Sequence, residues 1–240
     1  MRKQLLHLLL STFLFSFTAI QIHAETAKWS DNVSEITPVG NVYNITSANE
    51  LAWVAQEVNN GNLKNKIFIL QADIDLKDKE WTPIGNSSSN AFTGYFRGDN
   101  HTISNLTITE QSSDYTGLFG NSKGDSGGST EISDVTLANV NINNISFGAG
   151  TLIGNSFYTD VTNCHVKGSI STVCGNPVNV GGLIGYAQHT VVDGSSTEVT
   201  YTVVDYTGKK DYYSLSIGGI TGSAVSGMTI QNSYSAGEIK

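Results

Sequence analysis

Short runs in which apolar and polar residues alternate dominate the chain after about residue 65. A period of two is expected of strands that bury one face, and no run beyond this point has the period of a helix. The alternation recurs in blocks of roughly 30 residues, and a block of that length cannot bury its own apolar face, so neighbouring blocks must stack. The pattern therefore predicts an all-β repeat fold.

One glycine-rich motif recurs four times within these blocks. Each copy places an aliphatic residue, followed in three of the four copies by a second large apolar residue, between glycines, and the copies occupy residues 117–120, 150–154, 181–185 and 218–222. Because glycine lets two backbones approach closely, we expect each copy to form a corner where adjacent repeats meet. The first apolar position is always aliphatic, whereas the second tolerates Thr221. We therefore expect the first position in the core and the second in a less demanding environment.

A second column runs beside the glycine motif and reads aliphatic-x-Asn/Asp in most copies. It begins at Ile103, Ile132, Val161, Val192 and Ile230, and its third position holds Asn105, Asp134, Asn163, Gly194 and Asn232. Asn, Asp and Gly are the residues that tolerate the left-handed backbone conformation. We expect a bend at this position in every repeat, with stacked amides that form a hydrogen-bonded ladder.

The predicted fold is an all-β, right-handed parallel β-helix over residues 65–240, with about six coils. Each coil would contribute short strands that pair in parallel with its neighbours, and the right hand follows from the general crossover preference. At a strand spacing of ~4.8 Å the stack would be about 25–30 Å long. Residues 230–240 form half of a repeat. We expect the last coil to expose backbone and core, and further coils or domains of the same protein to follow.

One helix is predicted before the repeats, in an N-terminal segment over residues 25–64. Ser47 and Glu50 have the spacing of a capping box. Apolar residues then follow at helical spacing, at Leu51, Val54, Ala55 and Val58. Asn60 and Gly61 are typical of a helix end. We expect this helix to cap the first coil, because an uncovered strand edge recruits other chains.

Residues 1–24 are predicted to be a signal peptide and not part of the fold. Arg2 and Lys3 precede an apolar run, and Ala24 offers a small residue at the cleavage site. The run is short for a membrane span, so an anchor is the less favoured alternative. Cleavage after Ala24 removes Arg2 and Lys3 and changes the formal charge from −8 to −10. Such a chain is expected to be secreted or on the outer cell surface, without nucleic acid or anionic membrane as a partner.

Few residues have the spacing of a catalytic or metal site. Asp73 and Asp75 share one strand face, but Lys77 continues that face and two carboxylates are too few ligands for calcium. The sequence contains neither a zinc-protease motif nor a nucleophile elbow. The repeat columns show no acidic residues in successive coils that could perform acid–base chemistry. We therefore expect no enzymatic activity, no catalytic residues, no cofactor and no metal.

The two cysteines leave two alternatives open. Cys164 lies in a column that is mostly apolar, which favours a buried structural thiol. An exported protein could instead join Cys164 to Cys174.

The repeat pattern is interrupted at residues 199–215, which lengthen one interval and contain Tyr201, Tyr206, Tyr212 and Tyr213. An excursion on a regular solenoid often lies on a binding face, and exposed aromatic side chains suit contacts with sugars or proteins. Tyr206, Tyr212 and Tyr213 are therefore candidate ligand contacts. The alternative is a longer loop or hairpin whose tyrosines pack on the coil.

The repeats resemble the GLUG-motif family, which is named for the glycine-aliphatic-x-glycine core present at residues 117–120. The entry coils of that family resemble residues 80–85, 92–98 and 102–106. The resemblance extends from Ile45 to the C-terminus, with departures at Arg97, residues 99–100 and Thr221. The family occurs in secreted and surface bacterial proteins, including adhesin-like proteins and the non-catalytic part of IgA1-specific metalloendopeptidases.

The resemblance implies a β-helix on the outside of a bacterium, and it carries over no catalytic residue because the metal motif of the proteases is absent. We expect a secreted or cell-surface, adhesin-like binding or display module whose partner is a glycan or an extracellular protein. The alternatives are the non-catalytic arm of a larger surface protease, a glycan-cleaving β-helix enzyme, and a spacer that holds another domain away from the cell.

Overall fold

The structure is a computed structural model that describes residues 27–110, 113–143, 145, 147–173, 178–204 and 214–240. The predicted signal peptide and its cleavage site after Ala24 lie outside these residues. Most of the described secondary structure is β-strand, with one α-helix and one short 3-10 helix at Trp29–Asp31. The predicted all-β class is confirmed.

The helix and strands are numbered in chain order. The helix α1 spans Ala48–Asn59. The strands before the first glycine motif are β1 (Val42–Ile45), β2 (Lys66–Leu70), β3 (Ile74–Asp75), β4 (Gly94–Arg97), β5 (Thr102–Ser104), β6 (Thr107–Ile108) and β7 (Tyr115–Thr116). The next strands are β8 (Phe119–Lys123), β9 (Thr130–Ser133), β10 (Thr136–Ile142), β11 (Gly148–Gly150), β12 (Ile153–Phe157), β13 (Thr159–Thr162), β14 (His165–Val173), β15 (Val178–Gly181) and β16 (Ile184–Gln188). The last strands are β17 (Val191–Asp193), β18 (Ser196–Val204), β19 (Leu215–Gly218), β20 (Thr221–Ala224), β21 (Thr229–Gln231), β22 (Tyr234–Ser235) and β23 (Glu238–Ile239).

These strands form four sheets in which every pair of strands is parallel. Sheet 1 has the order β1-β2-β4-β9-β13-β17-β21. Sheet 2 has the order β22-β18-β14-β10-β5-β3, with β23 also on β18 and β6 also on β10. Sheet 3 is β19-β15-β11-β7, and sheet 4 is β20-β16-β12-β8. From β9 to β20 the chain visits sheets 1, 2, 3 and 4 in that order three times, so each repeat adds one strand to every sheet.

Helix α1 forms as the sequence predicts. The Ser47 hydroxyl accepts a hydrogen bond from the Glu50 N–H at 3.4 Å, and the Glu50 carboxylate accepts one from the Thr46 N–H at 2.6 Å. These bonds satisfy donors at the start of the helix that would otherwise have no partner. The buried face joins the same apolar core as the strands, through Leu51, Ala52, Val54, Ala55 and Val58.

The glycine motif connects sheet 3 to sheet 4 in each repeat, which confirms the predicted corner. Gly181 pairs in register with both Gly150 and Gly218. A β-carbon on Gly185 would lie 2.7 Å from the Ala149 nitrogen in sheet 3, a distance that no real side chain tolerates. The glycines are therefore required because the backbones of the two sheets touch.

Both apolar positions of the motif are buried, which corrects one expectation. Leu118, Leu152 and Leu183 are fully buried, as expected for the first position. The second position was expected in a less demanding environment, but its residues Phe119, Ile153 and Ile184 are also fully buried. The close contact of sheets 3 and 4 encloses both positions. Thr221 is tolerated because it is only half-buried in the last repeat, whose strands have a neighbour on one side only within the described residues.

The Asn/Asp column adopts the predicted left-handed conformation and forms the predicted amide contacts. The φ angles of the third-position residues are 60° at Asn105, 56° at Asp134, 52° at Asn163, 60° at Gly194 and 50° at Asn232. The Asn163 Nδ2 donates a hydrogen bond of 2.7 Å to the Asp134 Oδ1 in the preceding repeat. Such bonds join neighbouring repeats at a position where the backbone bends.

The alignment of the first copy in this column is wrong. Ile132 pairs with Phe96 in sheet 1, whereas Ile103 pairs with Leu137 in sheet 2. Asn105 therefore belongs to a separate left-handed column, in which its Oδ1 accepts a bond of 2.6 Å from the Asn139 Nδ2. A strand followed by a left-handed Asn or Asp occurs in both sheets, so the local sequence pattern is the same in the two places.

The core is filled by aromatic rings near the N-terminal end of the sheets and is open at the other end. Phe92 and Phe119 have ring centroids 4.9 Å apart, and further rings adjoin them. Val192 is fully buried, whereas Ile230, at the same register position in the last repeat, is 44% exposed. The last described repeat thus exposes core side chains, as expected.

Candidate functional site

A groove runs along the corner where sheets 3 and 4 meet, with a volume of about 430 Å³. We call it the corner groove, and it is lined by Ser88, Ala91, Tyr115, Asn121, Ser122, Lys123, Phe147, Asn155, Phe157, Asn179, Tyr186 and Gln188. The lining side chains come from three successive repeats and, through Ser88 and Ala91, from the segment before them, so the groove crosses the strands instead of following one of them. This shape suits an extended ligand.

The walls of the corner groove are built by the alternation of the strands. In sheet 4, Asn155 and Phe157 line the groove on either side of Ser156, which is fully buried. The Ser156 hydroxyl lies 2.8 Å from that of Thr190, so its burial leaves no unpaired polar atom. In sheet 3, Asn179 lines the groove while its neighbour Val180 is buried. The same strand pattern that fills the core therefore places these side chains in the groove.

The groove contains amide groups that are only partly used within the protein. The Asn155 Nδ2 donates to the Asn121 Oδ1 at 3.1 Å, and the Asn121 Nδ2 donates to the Gly85 carbonyl at 2.9 Å. Among the described residues, the side-chain amides of Asn179 and Gln188 have no hydrogen-bond partner. An amide without a partner can both donate to and accept from a ligand.

Aromatic side chains accompany these amides. Tyr115 and Tyr186 line the groove from sheets 3 and 4, and their hydroxyls have no hydrogen-bond partner among the described residues. Burial raises the pKa of Tyr115 above its ordinary value, with smaller contributions from Tyr186 and Asp114. The Phe157 ring packs edge-on against the Tyr158 ring, with the ring centroids 4.6 Å apart. Tyr158 in turn stacks on His189 at 4.4 Å, which holds this rim of the groove in place.

A second cavity, of about 180 Å³, lies between α1, the 3-10 helix and residues 81–86. Its floor contains Trp29 and Trp81, which are almost fully buried. The two indole N–H groups donate to the carbonyls of Leu76 and Leu118, at 2.8 and 3.1 Å. Because both rings are part of the core and both indole N–H groups already have partners, this cavity is a weaker candidate for a ligand site than the corner groove.

One pair of acidic residues lies in successive repeats, which corrects the expectation that there is none. Asp160 pairs in register with Glu131 in sheet 1, and both side chains are partly exposed. The Glu131 Oε1 also accepts a hydrogen bond of 3.2 Å from the Ser133 hydroxyl. Neither carboxylate lines the corner groove. The apolar columns of the sequence do not reveal this pair, because Glu131 and Asp160 occupy polar positions beside those columns.

The predicted ligand contacts Tyr206, Tyr212 and Tyr213 lie outside the described residues, so their role stays a prediction. Tyr201, which belongs to the same interruption of the repeat, lies on β18 and is buried. Its hydroxyl donates to the Gly218 carbonyl at 3.1 Å. This tyrosine packs on the repeats, as the alternative interpretation of the interruption expected.

Asp73 and Asp75 do not form a common site. Asp73 accepts hydrogen bonds from the Thr102 N–H and from His101, and these bonds lower its pKa. A hydrogen bond from Asn105 is the main cause of the lowered pKa of Asp75. In the described part of the chain, no group of three or more His, Cys, Asp or Glu side chains could hold a metal ion.

The corner groove was not identified from the sequence, although one signal for it is present. The residue directly after the closing glycine of each motif is Asn121, Asn155, Tyr186 or Ser223. Three of these four residues are amide or aromatic side chains that line the groove. The glycines therefore mark the corner of the fold, and the residues after them mark the candidate site.

Comparison with known proteins finds similarity to one curated protein and to one solved structure. No family model matches the chain. The chain is 35% identical, in an alignment of 191 residues that covers 73% of this chain, to halomucin from Haloquadratum walsbyi (strain DSM 16790 / HBSQ001). It spans 2% of the length of that relative.

One solved structure is similar over most of its length, a protein from Bacteroides ovatus described as "a putative immunoglobulin A1 protease". The TM-score is 0.44 with 14% identity, over 82% of this chain and 84% of the other. A TM-score at this level is too low to establish a shared fold.

Within the described residues, no helix has the length and apolar character needed to cross a membrane.

Proposed function

We propose that this chain is an extracellular binding module that holds an extended polymer, a glycan or a protein, in the corner groove. The observation that carries the proposal is that one groove combines Tyr115 and Tyr186 with the amides of Asn179 and Gln188, which have no partner among the described residues. Ligand sites typically combine apolar and aromatic walls with a few polar groups that have no internal partner. Such a groove binds a ligand and needs no catalytic group.

The architecture that we propose for this module is a right-handed parallel β-helix whose coils contribute one strand to each of the four sheets. The repeated order of sheets from β9 to β20 supports this arrangement. Export through cleavage after Ala24 belongs to the same proposal, and it would place the corner groove outside the cell. An adhesin-like role follows if the ligand belongs to another cell or to a host.

A binding screen with matched variants tests the proposal. The purified chain is applied to a glycan array and to a panel of immobilised mucins, immunoglobulins and matrix proteins. We expect reproducible binding that is lost when Tyr186→Ala and Asn179→Ala are combined. The control combines Tyr95→Ala and Asn44→Ala, which alter exposed residues on sheet 1. Binding that survives the groove variants and the control alike would overturn the assignment of the site.

A glycan-cleaving enzyme is the second candidate, because Glu131 and Asp160 lie side by side in successive repeats. Two carboxylates close together are the usual groups for hydrolysis of a glycosidic bond. Incubation with polysaccharides, followed by an assay for new reducing ends, tests this alternative. Cleavage that disappears in Glu131→Gln or Asp160→Asn would replace the binding-module proposal, whereas intact polysaccharides support it.

A further inference from the structure

Resting on the proposed function, we propose that the polymer bound in the corner groove is a neutral glycan, a chain of uncharged sugar rings that crosses the strands of sheets 3 and 4. Four properties carry it: the charge, the hydrogen-bonding groups and the aromatic faces of the lining residues, and the pairing of the surrounding backbone.

The charge of the groove favours an uncharged ligand. Among the described residues that line it, Lys123 is the single charged one, and it lies at the end of β8. An acidic polymer would find no second cation there, and the chain as a whole has a formal charge of −8 that repels it. A basic polymer would find no carboxylate to pair with among the described residues that line the groove.

The polar groups of the groove match hydroxyl groups. The amides of Asn179 and Gln188 each present a donor and an acceptor, and the hydroxyls of Tyr115 and Tyr186 can do both. A sugar hydroxyl also donates and accepts, so every such group can be satisfied by a ring that carries several hydroxyls. The Asn121–Asn155 bond leaves the Asn155 Oδ1 as an additional acceptor.

The aromatic residues supply flat apolar faces beside these polar groups. A pyranose ring has hydroxyls around its edge and C–H groups on its faces, and such C–H groups make favourable contacts with aromatic rings. Tyr115 and Tyr186 are in different repeats, so they can contact different rings of one chain. Successive repeats are separated by the strand spacing of ~4.8 Å, which is comparable with the length of one sugar unit in a chain.

A peptide fits the groove less well than a glycan does. Of the strands that form the walls, β11, β12, β15 and β16 are paired on both sides, whereas β7 and β8 end sheets 3 and 4. An extended peptide is usually bound by adding its backbone to a free strand edge, and its N–H and C=O groups need partners along their whole length. Across the four paired strands they would meet side chains only.

Calorimetric titration with defined probes tests the proposal. The neutral probes are hexasaccharides of glucose, mannose and N-acetylglucosamine, and the comparison probes are a galacturonic acid hexasaccharide and an uncharged hexapeptide. We expect at least one neutral hexasaccharide to bind, with an affinity that does not change between low and high salt because no charges pair. Tyr186→Ala should weaken it at least about tenfold, as expected for loss of an aromatic contact, whereas Tyr186→Phe should stay within about threefold.

Controls make every outcome decisive. Tyr95→Ala should leave the affinity unchanged, and urea unfolding of each variant establishes that it is folded. If only the peptide or the charged hexasaccharide binds and depends on Tyr186, the neutral-glycan inference is wrong while the proposed binding function stands. If a neutral hexasaccharide binds equally to all variants, the groove is not its site and both proposals fail. If no neutral hexasaccharide binds at millimolar concentration, the inference is wrong.

Discussion

Gly154 and Tyr115 lie in adjacent repeats and in direct contact, such that a β-carbon on Gly154 would be 2.8 Å from the β-carbon of Tyr115. Gly154 closes a glycine motif in sheet 4, and Tyr115 lies in sheet 3 and lines the corner groove. The absence of a side chain at Gly154 therefore has two consequences. It allows the two sheets to touch, and it places the tyrosine on the wall of the candidate site.

We expect Gly154→Ala to lower the free energy of unfolding by about 1–3 kcal/mol, as overpacking of a filled interior does. The added methyl group would lie 2.5 Å from the Thr116 nitrogen, and backbone cannot move aside as a flexible side chain can. Urea unfolding monitored by circular dichroism measures the change. Gly128→Ala is the matched control, because its β-carbon would have no atom within 4 Å. Equal stability of the two variants would contradict the requirement for glycine at the corner.

We expect Asn163→Ala to destabilise the protein by about 1–2 kcal/mol, because alanine loses the amide bond and disfavours a left-handed backbone. Asn163 has a φ of 52°, and its Nδ2 donates to Asp134. Asn163→Gly removes the same bond but accepts the conformation, so it should cost less than Asn163→Ala. Unfolding curves of both variants separate the two contributions. An alanine variant as stable as the glycine variant would show that the backbone conformation costs nothing here.

The repeat unit and its strands could be predicted from the sequence because both depend on local patterns. The glycine motif aligned correctly, since Gly150, Gly181 and Gly218 share one register position. Asn105 was assigned to the wrong column, because strands of sheets 1 and 2 are both followed by the same left-handed bend. The sequence of a single strand does not determine which sheet the strand joins.

The interactions between distant residues could not be predicted from local patterns. Glu80 is 4% exposed, and its carboxylate accepts hydrogen bonds from Thr109 and Glu110, about one repeat away. The corner groove depends in the same way on the contact between two sheets, which brings Tyr115 near Tyr186. Alternation predicts which side of a strand a residue occupies, but not which residues of another sheet lie opposite.

We expect the Cys164 thiol to be unreactive in the folded protein. Burial raises its pKa to about 12, and the Sγ lies 3.4 Å from the Thr162 carbonyl. Because the thiolate is the nucleophile, alkylation by iodoacetamide at pH 8 should be at least about a hundredfold slower in the native protein than in denaturant. In the Cys174→Ser variant, Cys164 is the single cysteine of the chain. Mass spectrometry of this variant measures the rate of alkylation. Rapid native labelling would contradict the burial of this side chain.

We expect Tyr201→Phe to change how stability depends on alkaline pH. Burial raises the pKa of Tyr201 from 10.0 to about 12, so the unfolded chain loses this proton at a lower pH than the folded chain does. The contribution of Tyr201 to stability is therefore complete below pH 10 and is lost as the pH rises towards 12.

Below pH 10, Tyr201 keeps its proton in both the folded and the unfolded parent protein. In this range the Tyr201→Phe variant should be less stable than the parent by about 0.5–1.5 kcal/mol, because the hydrogen bond to Gly218 is lost. Between pH 10 and 12 its free energy of unfolding should fall less steeply than that of the parent, since one titrating group is gone. Urea unfolding at several pH values measures both effects. Tyr95→Phe is the control, because Tyr95 is 40% exposed and its hydroxyl has no partner in the described residues. Parallel curves for the parent and Tyr201→Phe would mean that the Tyr201 hydroxyl titrates alike in the folded and unfolded chains.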